Sequence, residues 1–123
     1  RGVSMAYIID LPTFSDNRGN LTVVEKVLPF QIKRFYYIYG VTSKRGGHRH
    51  KKTVQALIIL GGNCEIYVND GRKEEIFLLN TPDKCLILEA KDWHTMEHFS
   101  SDSILLVFSS EFYDKDDYID EEY

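Results

Sequence analysis

The stretch Gly46-Gly47-His48-Arg49-His50-Lys51-Lys52-Thr53-Val54-Gln55 constrains the fold more than any other part of this chain. It runs straight into the apolar segment Ala56 to Leu60 and is closed by Gly61-Gly62. Residues two apart in a strand share a face, so His48 and His50 point into the same space. Gln55 lies an odd number of positions from both histidines. A bend or bulge near Lys51 to Thr53 is needed to bring it to their face. The glycines on either side allow tight turns at both ends. A basic, imidazole-bearing strand leading into an apolar one describes the mouth of a pocket with a core behind it.

The rest of the sequence reads as short strands separated by turn signals. Ala6 to Asp10 is a strand stopped near Pro12. Phe14 to Asn20 has the composition of a turn, and Leu21 to Val27 resumes as a β-branched strand broken by Pro29. Ile32 to Tyr39 alternates between two faces, one carrying Arg34 beside aromatic residues. Gly40 to Gly47 reads as a loop. Val54 to Leu60 is apolar on both faces, as in a strand covered on both sides. Cys64 to Val68 alternates, Asn69-Asp70-Gly71 is a hairpin signal, and Glu74 to Leu79 returns. Leu86 to Leu88 is a strand. Trp93 to Phe99 follows as a strand, with His94, Met96 and His98 on one face by alternation. Ile104 to Phe108 is the last apolar strand. The segment Glu111 to Tyr123 is acidic and aromatic; one or two helical turns are its only regular structure, and Asp114 to Glu122 reads as a solvated tail. Such a series, with no long amphipathic helix, predicts an all-β antiparallel sandwich or barrel that takes a ligand among its inward side chains.

At 123 residues the chain is one domain, 1–123, with Arg1 to Ser4 set aside as an expression remnant ahead of Met5. A net charge of −4 argues against a nucleic-acid partner. No apolar run is long enough to span a bilayer as a helix, and no secretory signal is visible, so a cytoplasmic location is expected. Cys64 and Cys85 fall inside apolar strand patterns and read as reduced core thiols.

His48, His50 and His94 are the residues with chemical promise. Three imidazoles and a carboxylate make an ordinary metal site. Here Gln55 takes the carboxylate's place and Lys51 and Lys52 add positive charge, so metal binding is the weaker reading, although three imidazoles alone can hold zinc; no cofactor is expected. Paired neutral imidazoles instead carry protons near neutral pH, which suits isomerisation beside a carbonyl. Arg18, Arg34, Arg45, Lys51 and Lys52, with Tyr36, Tyr37 and Trp93, can together cradle a diphosphate and stack a base.

The central stretch resembles the first motif of the cupin superfamily, G…HxH…E…G, with Gln55 in the Glu position. Further segments extend that likeness: Asp16-Asn17-Arg18-Gly19-Asn20-Leu21, Ile32 to Ile38, Arg45 to Lys52, Trp93-His94-Thr95-Met96 and Phe112 to Ile119. With these in view, essentially the whole chain resembles the dTDP-sugar 3,4-ketoisomerases, the WxcM-like or FdtA-like cupins. The resemblance implies a jelly-roll barrel and a homodimer that exchanges N-terminal strands. It implies a dTDP-linked keto sugar as ligand and a role in surface-glycan synthesis. The expected reaction converts dTDP-4-keto-6-deoxy-D-glucose to a 3-keto isomer. His48 and His50 are the expected catalytic pair. Arg18, Arg34, Tyr37, Arg45, Lys52, Gln55, Trp93 and His94 are the expected substrate contacts. The family resembles two subgroups, one with Arg in the RG turn and His after Trp, the other with Tyr and Arg. Arg18 and His94 place this sequence with the first, which implies the galacto-configured product and a Fuc3NAc-type sugar. The alternatives are a metal-dependent cupin enzyme and a non-catalytic nucleotide-sugar-binding cupin.

Overall fold

The structure, a computed structural model, describes residues 5–123; Arg1 to Ser4 lie outside them. Twelve strands follow in order, from β1 (Tyr7–Asp10), β2 (Thr13–Asp16), β3 (Gly19–Thr22) and β4 (Arg34–Tyr39) to β5 (Arg45–His50) and β6 (Gln55–Gly61). Then come β7 (Cys64–Asn69), β8 (Glu74–Leu79), β9 (Lys84–Leu88), β10 (Trp93–Glu97) and β11 (Ile104–Ser109). A 3-10 turn (Lys115–Asp117) leads into β12 (Tyr118–Ile119). One sheet has the order β1-β9-β6-β11-β4, the facing sheet β12-β5-β10-β7-β8, and β2 and β3 form a separate hairpin. Every pairing is antiparallel. This is the expected jelly roll.

Strand alternation builds the core. Leu57 and Ile59 of β6, Leu86 and Leu88 of β9, and Leu105 and Val107 of β11 meet Ile66 and Val68 of β7 and Met96 of β10. Ala56 and Ile58, on the other face of β6, are buried with Leu11, Cys85 and Ile87 beneath Val24, Val27, Leu28 and Phe30. Strand β6 is therefore covered on both faces, as its unbroken apolar run predicts. Each fully buried Leu or Ile is worth about 1.5–3 kcal/mol relative to exposure, so the contact between the sheets is a stiff frame. At one end of that frame the inward positions turn polar. Gln55 precedes Leu57, His94 precedes Met96 and Tyr36 precedes Ile38, each two residues along the same face.

Several boundaries differ from the expectation. Phe14 to Asn20 is mostly a hairpin, with Thr13↔Thr22 and Asp16↔Gly19 paired around Asn17-Arg18. The strand read over Leu21 to Val27 ends at Thr22; the chain then covers the outer face of the first sheet, and that apolar contact outweighs β propensity. Strand β5 begins at Arg45, inside the stretch read as a loop, because Gly46 and Gly47 with φ of 87° and 85° still fit beside β10. Strand β10 stops at Glu97. His98 has φ of 56° and an exposed side chain paired with Glu65, so it does not share the face of His94. The tail departs furthest from its reading: it contains the 3-10 turn and β12, and Asp117 is only 3% exposed.

Candidate active site

Three histidines converge at the polar end of the barrel. His48 and His50 come from β5, and His94 sits opposite His48 on β10. The ring centres of His48 lie 5.1 Å from those of His50 and His94, and His50 and His94 are 6.5 Å apart. His50 is 5% exposed and His94 1%, while His48 is half-buried. A bulge between His94 and Thr95 shifts the register there. Gly46 makes the close approach possible, since a Cβ at that position would lie 2.9 Å from the His94 carbonyl oxygen.

Asp117 organises His50. Its carboxylate accepts the amide protons of Lys51 and Lys52 at 3.1 and 2.8 Å and the hydroxyl of Thr53. Those donors lie at the bend the sequence requires between His50 and Gln55. Burial pushes the Asp117 carboxyl up, but the hydrogen bonds from Thr53, the Lys52 amide and His50 outweigh it and hold it below its ordinary value. An ionised carboxylate only accepts, so the contact of 2.8 Å at Oδ2 is a donation from Nδ1–H of His50. The proton is thereby fixed on Nδ1, and Nε2 is left as a bare base, buried and without a hydrogen-bond partner.

The other two imidazoles are also neutral. Burial, helped by the neighbouring His50, lowers His48 to about 4, against weaker upward pulls from Asp120 and the Gly46 backbone. Burial lowers His94 to about 3, with His48 and His50 adding to the effect and the Asp92 carbonyl opposing it. His94 Nδ1 donates to that carbonyl at 3.1 Å, so its Nε2 is likewise an unpartnered acceptor. For His50, burial lowers the proton affinity, Asp117 raises it, and Arg34 lowers it again; the net direction is down. The cluster is a set of imidazole bases in water-poor surroundings. Among the described residues, no group of three or more His, Cys, Asp or Glu side chains is disposed to hold a metal ion.

Aromatic and basic groups frame it. The Tyr118 ring lies 4.7 Å from His48 and 4.6 Å from His50. The Arg34 guanidinium stands 4.6 Å over Tyr36 and 5.7 Å from Tyr113. Gln55 donates from Nε2 to the Tyr36 hydroxyl at 3.2 Å, and its Oε1 has no partner. Of the expected substrate contacts, His94, Gln55 and Arg34 thus belong to this end of the barrel. Arg45 opens β5 with an exposed side chain, and Lys52 meets Asp117 through its backbone amide. The structure does not bring the others to the cluster. Tyr37 is exposed on the opposite face of β4 and stacks on Tyr39. Trp93 is on the face of β10 opposite His94, and its indole donates to the Asp120 carbonyl at 2.9 Å. Arg18 is exposed in the β2–β3 hairpin and paired with Asp16.

Sequence reasoning gave no role to Asp117, Tyr118 or Thr53. Asp117 falls in the Phe112 to Ile119 segment that carries part of the family resemblance, but nothing in the local pattern gives it a role apart from Asp114. Tyr118-Ile119 was the available signal: a strand-favouring pair in an otherwise polar segment.

Comparison with known proteins agrees with the geometry. The family described as FdtA, WxcM-like, C-terminal, matches residues 4–123. The TDP-4-oxo-6-deoxy-alpha-D-glucose-3,4-oxoisomerase of Aneurinibacillus thermoaerophilus is 39% identical over 116 residues, covering 91% of this chain and 84% of that protein. A 3,4-ketoisomerase from Helicobacter canadensis superimposes with a TM-score of 0.91 at 41% identity, covering 96% of this chain and 92% of the other. The WlaRB TDP-quinovose 3,4-ketoisomerase of Campylobacter jejuni gives 0.90 at 42% identity, covering 94% and 92%.

Proposed function

Because the chain belongs to the FdtA, WxcM-like family and is a sugar 3,4-ketoisomerase, we propose that it converts dTDP-4-keto-6-deoxy-D-glucose to the 3-keto isomer using its own imidazoles. The observation that carries this reading is His50, with Nδ1–H bound to Asp117 and Nε2 bare beside His48 and His94. The C4 carbonyl acidifies the hydrogen on C3. His50 Nε2 takes that proton, and the C3–H electron pair becomes the double bond of an enediol. Asp117 stabilises the imidazolium as it forms. His48 removes the proton from the C3 oxygen and gives one to the C4 oxygen. The His50 imidazolium gives up the proton it took from C3, which is added to C4, and the carbonyl is left at C3. No electrons leave the substrate, so the step needs no oxidant.

Arg34 and Tyr36 sit where a negatively charged or polar portion of the ligand can meet a cation and a hydroxyl. Arg18, Tyr37, Arg45, Lys52 and Trp93 are proposed as contacts on the strength of the family resemblance. Arg18 and Tyr37 would meet ligand only in an assembly that closes the exposed faces on which they lie.

The C4 stereochemistry rests on Arg18 and His94, and we read the product as galacto-configured, dTDP-6-deoxy-D-xylo-hex-3-ulose, on the way to a Fuc3NAc-type sugar. His94 starts as an acceptor, since burial keeps it neutral and its one ring proton is held by the Asp92 carbonyl. It can therefore act only as a relay, passing the proton that His50 took from C3 on to the C4 face whose protonation leaves the hydroxyl axial. The gluco-configured product is the second reading, favoured by the 42% identity to an enzyme described as acting on TDP-quinovose. Incubation with dTDP-4-keto-6-deoxyglucose followed by reduction and proton NMR tests both levels. A 3-keto product supports isomerisation, and unchanged substrate contradicts it. A small H4–H5 coupling supports the axial hydroxyl, whereas a large axial–axial coupling assigns the gluco product.

A further inference from the structure

The segment after Asp117 crosses the second sheet from its edge to its far side. Tyr118 pairs with His50 and Ile119 with Arg49 on β5. The Asp120 carbonyl accepts from Trp93 on β10, and the Glu121 carbonyl accepts from Arg49 Nε at 3.1 Å. The Glu122 carboxylate then accepts from Asn69 Nδ2 at 2.9 Å and lies 2.8 Å from the Tyr67 hydroxyl, whose single proton it shares with Glu74 at 2.9 Å; Tyr67 and Asn69 are both on β7. Tyr67 and Trp93 alternate with the inward Val68 and His94, so this part of the strap lies on the outer face, behind the histidines.

Strand β12 is two residues long and pairs only with β5. A ladder that short holds a neighbouring side chain weakly. The strands it must span, β5 and β10, share a bulged seam interrupted at His94/Thr95. Asp117 itself is anchored by the Lys51 and Lys52 amides and the Thr53 hydroxyl; downstream the strap is pinned again by Glu122 on the regularly paired β7 and by Tyr123 on the Lys91 carbonyl. We infer that Glu122, held by Tyr67 and Asn69, is a positioning residue that keeps Asp117 on His50 by clamping the strap across β5, β10 and β7. This inference rests on the catalytic role proposed above for His50. Glu122 itself stays on the outer face of the sheet, away from the histidines.

The groups facing His50 are Asp117 and Tyr118 from the strap, His48 on its own strand, His94 on β10 and Arg34 on β4. Of these, Asp117 raises its proton affinity and Arg34 lowers it. Loosening the strap removes the supporting carboxylate and leaves burial and Arg34. The test compares parent, Glu122→Ala and the milder Glu122→Gln by histidine NMR titration and by steady-state kinetics. In Glu122→Ala the His50 midpoint falls and its Nδ1–H signal loses its downfield shift. A small displacement of a catalytic group can cost on the order of 10²-fold, so kcat falls about 10-fold or more while KM stays close to the parent's. Glu122→Gln, which keeps an acceptor for Asn69, recovers most of the loss. A folded Glu122→Ala protein with unchanged His50 titration overturns the inference, as does one whose loss in kcat adds fully to that of Asp117→Asn. If the parent fails to isomerise the sugar, the functional reading falls and the titration alone decides the positioning claim.

Discussion

Asp117 gives one of the three imidazoles a chemistry the others lack. His48 is kept neutral by burial and by His50, and His94 by burial and by both other imidazoles. His50 alone has a carboxylate on its far nitrogen, so it alone can take a proton without leaving the positive charge uncompensated. The sign of the pH effect follows. Burial and Arg34 press the His50 affinity down and Asp117 presses it up, so Asp117→Asn removes the upward influence. The acid limb of kcat/KM should move to lower pH, while the plateau falls by about 10²–10⁴-fold, the range typical of general acid–base contributions. A pH–rate profile of the two proteins checks both. A plateau near the parent's would show that His50 does not depend on its carboxylate. His48 and His50 were legible from their spacing, because a two-residue interval fixes a shared face. Asp117 was not, because its role depends on a contact 67 positions away in sequence.

The strands explain why the site can exist where it does. Strand β5 carries two glycines in left-handed geometry before its histidines, and only one of them is pressed against a neighbour. At Gly46 a Cβ meets the His94 carbonyl and the Thr95 Cα, both backbone; at Gly47 the nearest atom is the Trp93 ring at 4.0 Å. The conformational strain of an alanine is similar at the two positions, about 1–3 kcal/mol. Only Gly46→Ala also forces the β5–β10 seam apart. Gly46→Ala should therefore lose more thermal stability than Gly47→Ala, and more activity, since the seam spaces His48 from His94. Equal losses would mean that the close approach is unimportant. The alternation of β4 and β7 and the apolar runs of β6 and β11 were readable because each follows from local sequence alone. The hairpin at β2–β3 and the tail were not, because both are polar and their order depends on partners distant in sequence.

Across the whole molecule, the jelly roll supplies the stiff frame and the strap completes one end of it. Strand β1 is an edge strand paired with β9 of the same chain, with Ile9 opposite Cys85. An exchanged dimer would keep this pairing and draw β1 from the partner, so the register holds in either case. Ile9→Cys faces a native thiol across an antiparallel pair, a spacing that suits a disulfide. Under oxidation the exchanged dimer is expected to run as a covalent dimer on a non-reducing denaturing gel. A monomer carrying an internal disulfide would contradict exchange. The all-β antiparallel class was legible from the count of short strands and turn signals, whereas the jelly roll itself was implied by the family resemblance. The second face of β6, covered by residues 23–30, was foreseen from its unbroken apolar run, although what covers it was not.

His50 is proposed as the base that moves the sugar's proton. This role is tested most directly by measuring isomerisation of dTDP-4-keto-6-deoxyglucose by His50→Asn, with TDP binding measured on the same sample. Asn keeps a polar group near Asp117 and the fold around it but cannot take the proton. The expected result is retained TDP affinity with turnover lower by about 10²–10⁴-fold or lost altogether. Turnover near that of the parent in a folded variant would contradict it.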